Sequence, residues 1–134
     1  MNACDTGFFV TYLNANRQAA EVWAAARARN QKLIVSVVSL YELRRLALKG
    51  VIERERTEQL LTLLPSLCHI VYLDRGCGEL LERAARVAHG NGLSLADSLI
   101  LSSALLAGAD TLYTTDSNMA KYRGKDGPNV VALQ

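Results

Sequence analysis

Short apolar runs alternate along the chain with longer stretches whose apolar residues recur at helical spacing. Leu33 to Val38 (LIVSVV) is a nearly continuous apolar run of strand length. His69 to Leu73 (HIVYL), Thr111 to Thr114 (TLYT) and Val130 to Leu133 (VVAL) repeat that character, and Asn2 to Cys4 makes a very short, polar first strand. Phe8 to Asn30 carries Ala, Leu and Trp23 at helical intervals and is predicted as two helices broken near Asn14 to Asn16. Leu40 to Lys49, Glu53 to Leu64, Gly78 to His89 and Leu95 to Ala107 are the other predicted helices. The last is apolar almost all round, which marks a buried helix, and Gly108 follows as its C-terminal cap. Strands alternating with helices imply βαβ units and a parallel sheet. Continuous apolar strands agree, because parallel sheets are covered on both faces.

Composition narrows the class without naming a function. The 134 residues fit one domain, expected to span 1–134. An apolar fraction of 50% with 21% charged residues excludes disorder, collagen and coiled coil. Aromatic residues at 6% argue against a sandwich or barrel built on large side chains. The net charge of +2 is too small to select a nucleic-acid partner. Local basic groups exist: Arg27, Arg29 and Lys32; Arg44, Arg45, Lys49, Arg54 and Arg56; Lys121, Arg123 and Lys125. Each reads most simply as a solvated helix face. No apolar run approaches the roughly 20 residues of a membrane span, and no signal peptide is expected. Cys4, Cys68 and Cys77 form no C-x-x-C pair, so they are read as reduced core residues of a cytoplasmic protein.

Four acids fall where chemistry is placed in such a fold. In an open parallel sheet the working site lies beyond the carboxyl ends of the strands. Asp5 follows the first strand and Asp116 follows TLYTT; Glu42 and Asp97 are read into the first turns of their helices. Each has a structural use. Asp5 and Asp116 can be N-caps, and Ser39-Leu40-Tyr41-Glu42 and Ser94-Leu95-Ala96-Asp97 read as capping boxes. Together they are harder to excuse, because converging carboxylates repel unless a cation sits among them. An all-oxygen set without a His or Cys cluster selects Mg2+ or Mn2+ over zinc. Such a cage suits phosphodiester hydrolysis, with the ion polarising the phosphate and activating a water. With these four acids set aside, nine remain against fifteen bases, or +6 outside the pocket.

Cys4-Asp5-Thr6, Ser39-Leu40-Tyr41-Glu42-Leu43, Leu93-Ser94-Leu95-Ala96-Asp97-Ser98-Leu99-Ile100 and Leu112-Tyr113-Thr114-Thr115-Asp116 together resemble the PIN domain family. Size and order resemble its VapC-type toxins. The ordered acids, separated by 37, 55 and 19 residues, carry most of the resemblance, which covers essentially the whole chain. It implies an α/β fold, a three-layer α/β/α sandwich around a parallel sheet of about five strands. It implies a ribonuclease dependent on Mg2+ or Mn2+, often a homodimer, inhibited by a VapB-type antitoxin. Asp5, Glu42, Asp97 and Asp116 match the family's acidic quartet, and Thr6 and Thr114 match its supporting hydroxyls. Two positions depart from the pattern: Gly7 stands where Ser or Asn is common, and Asn118 where a further aspartate often lies. The metal is therefore expected to rest mainly on four acids.

Other residues are weighed beside these. His69 and His89 are read as structural or surface residues. Trp23 could stack a base, but a core or dimer residue is the simpler reading, and Tyr41, next to Glu42, is read as core packing. Arg44, Arg45 and Lys49, on the Glu42 helix, are the first choice for RNA-phosphate contacts. Phe8, Phe9, Tyr12 and Leu13 could line a groove for an antitoxin helix, or pack on the sheet. Three rivals stand against the ribonuclease: a PIN-fold binding module without turnover, a DNA nuclease of the same fold, and a phosphoryl-accepting signalling domain. The last normally needs a Lys after a late strand, and Val130 to Leu133 is followed by Gln134.

Overall fold

The computed structural model describes residues 1–124 and 127–134. Lys125, expected in the C-terminal basic group, lies outside the described residues. Five strands, β1 (Asn2–Cys4), β2 (Leu33–Ser36), β3 (Cys68–Val71), β4 (Thr111–Thr114) and β5 (Asn129–Ala132), form one sheet in the order β3-β2-β1-β4-β5. Every neighbouring pair is parallel. The helices are α1 (Thr6–Leu13), α2 (Arg17–Ala28), α3 (Val37–Leu48), α4 (Arg54–Leu67), α5 (Gly78–Asn91) and α6 (Leu95–Leu106), with a 3-10 turn over Met119–Lys121. The expected α/β fold with a five-stranded parallel sheet is what the chain adopts.

Alternation along the strands divides the core between two helical layers. Cys4, Leu33, Val35 and Cys68 pack with Phe8, Phe9, Leu43 and Leu64 of α1, α3 and α4. Ala3, Ile34 and Leu112 turn the other way, onto Ile100, Leu101 and Ala104 of α6. All four residues of β2 are buried, as a central parallel strand requires. The short first strand is not frayed. Ala3 and Cys4 pair with Ile34 and Val35 on one side and with Leu112 and Tyr113 on the other. The central strand is polar only at Asn2, so its brevity is offset by neighbours on both edges.

Several boundaries move for identifiable reasons. The run LIVSVV is strand only to Ser36, and Val37 already opens α3. Ser36 is extended, and its hydroxyl accepts the Val38 N–H at 3.1 Å, making it the N-cap. β-Branched Val37 and Val38 are tolerated there because a first turn has no preceding turn to crowd them. The break between α1 and α2 falls where expected. Ala15 takes a left-handed φ of 61°, and Asn16 caps α2 by accepting the Ala19 N–H at 2.9 Å. Arg56 of α4 donates to the carbonyl of Leu13 at 2.8 Å, satisfying a group left open at the end of α1.

Candidate functional site

Asp5 is placed by the β1–α1 junction. One carboxylate oxygen accepts the Phe8 N–H at 2.9 Å, capping α1, and the other accepts the hydroxyl of Thr114 at the end of β4. Thr114 is wholly buried, and its oxygen also accepts the Asp116 N–H at 2.9 Å. One hydroxyl therefore fixes both the Asp5 carboxylate and the turn that carries Asp116. That turn is closed by Asp116 itself, whose Oδ1 accepts N–H groups from Asn118 at 2.7 Å and Met119 at 2.9 Å. Asn118 thus meets Asp116 through its backbone. Asp5 is the N-cap expected of it, whereas Asp116 closes the turn ahead of the 3-10 segment, whose cap position is Asn118; both remain beyond the carboxyl ends of neighbouring strands β1 and β4.

The Glu42 reading is corrected in part. Because α3 begins at Val37, Glu42 lies in the second helical turn, and Ser36 rather than Ser39 is the cap. Ser39 and Glu42 share a helix face at i and i+3, and both meet α1. The Thr6 hydroxyl donates to Glu42 Oε1 at 2.5 Å and lies 3.1 Å from the buried Ser39 hydroxyl. Thr6 has one proton, so with that proton given to Glu42 it can accept the proton of Ser39. Reading Ser39 as a cap hid this role, although the i, i+3 spacing was present in the sequence. At α6 the expected cap is present: Ser94 Oγ accepts the Asp97 N–H at 3.2 Å.

The acids influence one another. Burial pushes the Asp5 carboxyl up from 3.8 to about 6, against bonds from Thr114, Phe8 and Thr115, with the Asp97 charge adding to the rise. Asp97 is also raised, first by burial and then by Asp116, with a smaller push from Glu42. Among the described residues, no three His, Cys, Asp or Glu side chains are placed to hold one ion as they stand. Asp5 bonds instead to Thr114 and Phe8, and Glu42 to Thr6. The convergence expected from the sequence is thus a shared electrostatic neighbourhood. Its donors are all oxygen, which fits a hard divalent cation.

The Asp5 shift has a measurable sign. Its carboxyl holds a proton more tightly folded than unfolded, so its contribution to stability is complete below pH 3.8 and is lost as pH rises to about 6. The difference corresponds to about 3 kcal/mol. In chelator, Asp5→Asn is expected to melt several degrees above wild type at pH 7 and to lose that advantage by pH 4. Thermal unfolding at the two pH values, with EDTA present, measures this. A variant melting below wild type at both would mean that the acceptor bonds of Asp5 outweigh its desolvation.

The flanking residues separate. Arg45 and Lys49 line a hollow of about 100 Å3 with Glu42 and Leu46. Arg44 turns instead to Glu58 on α4, at 3.1 Å in an exposed pair. Tyr41, expected in the core, is 62% exposed. Phe8 and Phe9 are fully buried and Leu13 nearly so, which removes them from any open groove; they pack on the sheet. Trp23 packs edge-on to Phe9, centroids 6.2 Å apart, and beside Tyr12 at 5.3 Å. His69 is the second residue of the edge strand β3, and His89 lies near the end of α5; both are exposed. Cys4 and Cys68 are buried and Cys77 partly so, all three as free thiols.

Comparison with known proteins agrees with this arrangement. Two solved structures share the fold over nearly full length. A toxin–antitoxin complex from Klebsiella pneumoniae matches with a TM-score of 0.72 and 21% identity, covering 98% of this chain and 97% of that one. VapBC2 from Rickettsia felis, bound to a DNA fragment from its promoter, matches with a TM-score of 0.75 and 20% identity, covering 99% and 98%. No curated protein matches the sequence. The PIN domain family model matches residues 3–125, which contain all of β1 but its first residue, β2 to β4, all six α-helices and all four acids, and this chain therefore belongs to the PIN domain family.

Proposed function

We propose that this chain is a single-domain endoribonuclease dependent on Mg2+ or Mn2+, the toxin of a VapBC-type pair. The observation that carries the reading is the gathering of Asp5, Glu42, Asp97 and Asp116 beyond the carboxyl edge of the sheet, where burial and mutual repulsion raise two of them. A fold spends that free energy at a functional site more readily than elsewhere. Asp5, Asp97 and Asp116 would hold the ion, directly or through water. Glu42, anchored by Thr6, either joins them or orients the attacking water. When bound, the ion polarises the phosphate and makes a water nucleophilic near neutral pH. Thr114 keeps Asp5 and Asp116 in register, and Arg45 and Lys49 take RNA phosphates. Arg44 can join them by leaving Glu58, because an exposed pair is worth only about 0–1 kcal/mol. The partners are RNA, a VapB-type antitoxin and a second copy of the chain, in the cytoplasm. The toxin–antitoxin character of the two similar structures supports the antitoxin.

Water attack on phosphorus breaks the bond to the 3′ oxygen, which leaves with a proton. Cleavage of a mixed RNA pool with Mg2+ or Mn2+ is therefore expected to yield 5′-phosphate and 3′-hydroxyl ends. End-group analysis showing a 2′,3′-cyclic phosphate would mean that the RNA's own 2′-hydroxyl attacks, and would remove the assigned roles of the acids. A folded protein that binds Mn2+ and cuts nothing would instead be a binding module.

A further inference from the structure

The solvent face of α3 carries a feature that the acids do not use. Tyr41 is 62% exposed although it neighbours Glu42, and it touches none of the aromatic groups that gather Phe8, Phe9, Tyr12, Trp23 and Tyr113. Arg45 lies one helical turn on, and Lys49 follows as the residue capping α3. At 1.5 Å per residue the three are stepped at about 6 Å intervals along the axis. Arg45 and Lys49 make no ion pair among the described residues, whereas neighbouring Arg44 is engaged by Glu58. Both bases line the hollow that Glu42 opens into. An exposed aromatic ring thus shares its helix face with Arg45, which with Lys49 lines the hollow of Glu42.

We infer that Tyr41, Arg45 and Lys49 form a track for single-stranded RNA. The ring of Tyr41 stacks a base next to the scissile phosphate, and Arg45 and Lys49 take the following phosphates. The chemistry favours a single strand over a duplex. A lone exposed ring needs an unstacked base, which a helix does not offer, while cations alone would take either. Arg45 serves both sides of the arrangement. It lies four residues from Tyr41 and three from Glu42, so it shares a face with each. A strand held on this track therefore enters the acid edge at a fixed register, and stacking at Tyr41 becomes a determinant of where the chain is cut.

The inference rests on the ribonuclease reading, and the experiment keeps the two apart. A short labelled RNA of random sequence is titrated by anisotropy in EDTA, where no cleavage competes, and the same proteins are assayed for cleavage with Mn2+. Tyr41→Ala is expected to weaken single-strand binding about tenfold, within the usual range for base–aromatic stacking, with an unchanged salt dependence. Tyr41→Trp, which keeps a stacking face, is expected to restore it. Arg45→Ala and Lys49→Ala are each expected to lower the logarithmic salt slope by about 0.7. Equal binding by Tyr41→Ala and wild type, in a preparation that cuts RNA, overturns the track and leaves the nuclease standing. So does a Tyr41→Ala protein that binds RNA normally but changes its mass by light scattering, since the ring would then be a contact between copies. A folded wild type that neither binds nor cuts RNA removes the nuclease reading and the track together.

Discussion

Asp97→Asn is expected to lower metal-dependent RNA cleavage by more than about 100-fold while leaving the protein folded. The lower bound comes from metal sites generally, where even residues one bond removed from the ion are worth about 10–100-fold. On the proposed reading Asp97 would touch the ion itself, and the Asp116 charge is among the causes that raise its carboxyl. The substitution is nearly isosteric and keeps the backbone bond to Ser94 that starts α6. Two stability effects oppose each other. A carboxylate in a first helical turn gains about 0.3–1 kcal/mol from the helix dipole, and that is lost. The repulsion from Asp116 and Glu42, which raises the Asp97 carboxyl, is relieved as well. In metal-free protein relief prevails, because the charged form is already disfavoured there. The expected pattern is thus a melting temperature in EDTA at or above that of wild type, with activity gone. Cleavage equal to wild type in a metal-dependent assay would return Asp97 to a capping role and dissolve the proposed site.

Replacing Gly7 with alanine is expected to cost most of the activity through a different route. Gly7 lies in the first turn of α1, and a β-carbon there would fall on Thr115 Oγ1 and lie 2.9 Å from Thr115 Cβ. Rotating the threonine could move its hydroxyl, but the Cβ moves only with the backbone. That backbone joins Thr114, which holds Asp5, to Asp116, whose charge raises the Asp97 carboxyl. Overpacking of this kind costs about 1–3 kcal/mol. A misplacement of about 1 Å in a reacting group can cost on the order of 100-fold in rate. Gly7→Ala should therefore lose about 10- to 100-fold in cleavage and weaken Mn2+ binding measured by electron paramagnetic resonance. Thr115→Gly, added to the same chain, removes both offending atoms and should recover much of the loss. Gly7→Ala with wild-type cleavage and Mn2+ affinity would show that the close approach does not set the position of Asp116. The departure from a polar residue at position 7 thus has a steric cause in this chain, because Thr115 fills the space that a side chain would take.

The Asp5, Thr114 and Asp116 arrangement shows how much a strand-end argument can reach. Each residue was legible from its place after an apolar run, because a parallel sheet delivers all its carboxyl ends to one edge. Their linkage was not, because it depends on β1 and β4 being neighbours. The separation of 109 positions between Asp5 and Thr114 leaves no local trace of that pairing. Glu42 shows the opposite failure. Its residue type and helix were legible, but its turn was not, since a β-branched run reads as strand until a serine hydroxyl claims a helical N–H. Tyr41 was misplaced because an aromatic residue beside apolar ones is usually buried, and only the path of α3 across the surface leaves it exposed.

Alternating β-branched runs and helical stretches determined the α/β class, the five strands, the six helices and the break between α1 and α2. Residue types determined the all-oxygen character of the site, because hydropathy period and donor chemistry are local properties of the chain. Only the tertiary structure decided the strand order, the single hydroxyl joining Asp5 to Asp116, the Thr6 bond that directs Glu42, the turning of Arg44 to Glu58 and the exposure of Tyr41. Each of these depends on which distant segments pack together, and a distance across a fold is fixed by burial and hydrogen bonding among all its elements, not by spacing along the chain.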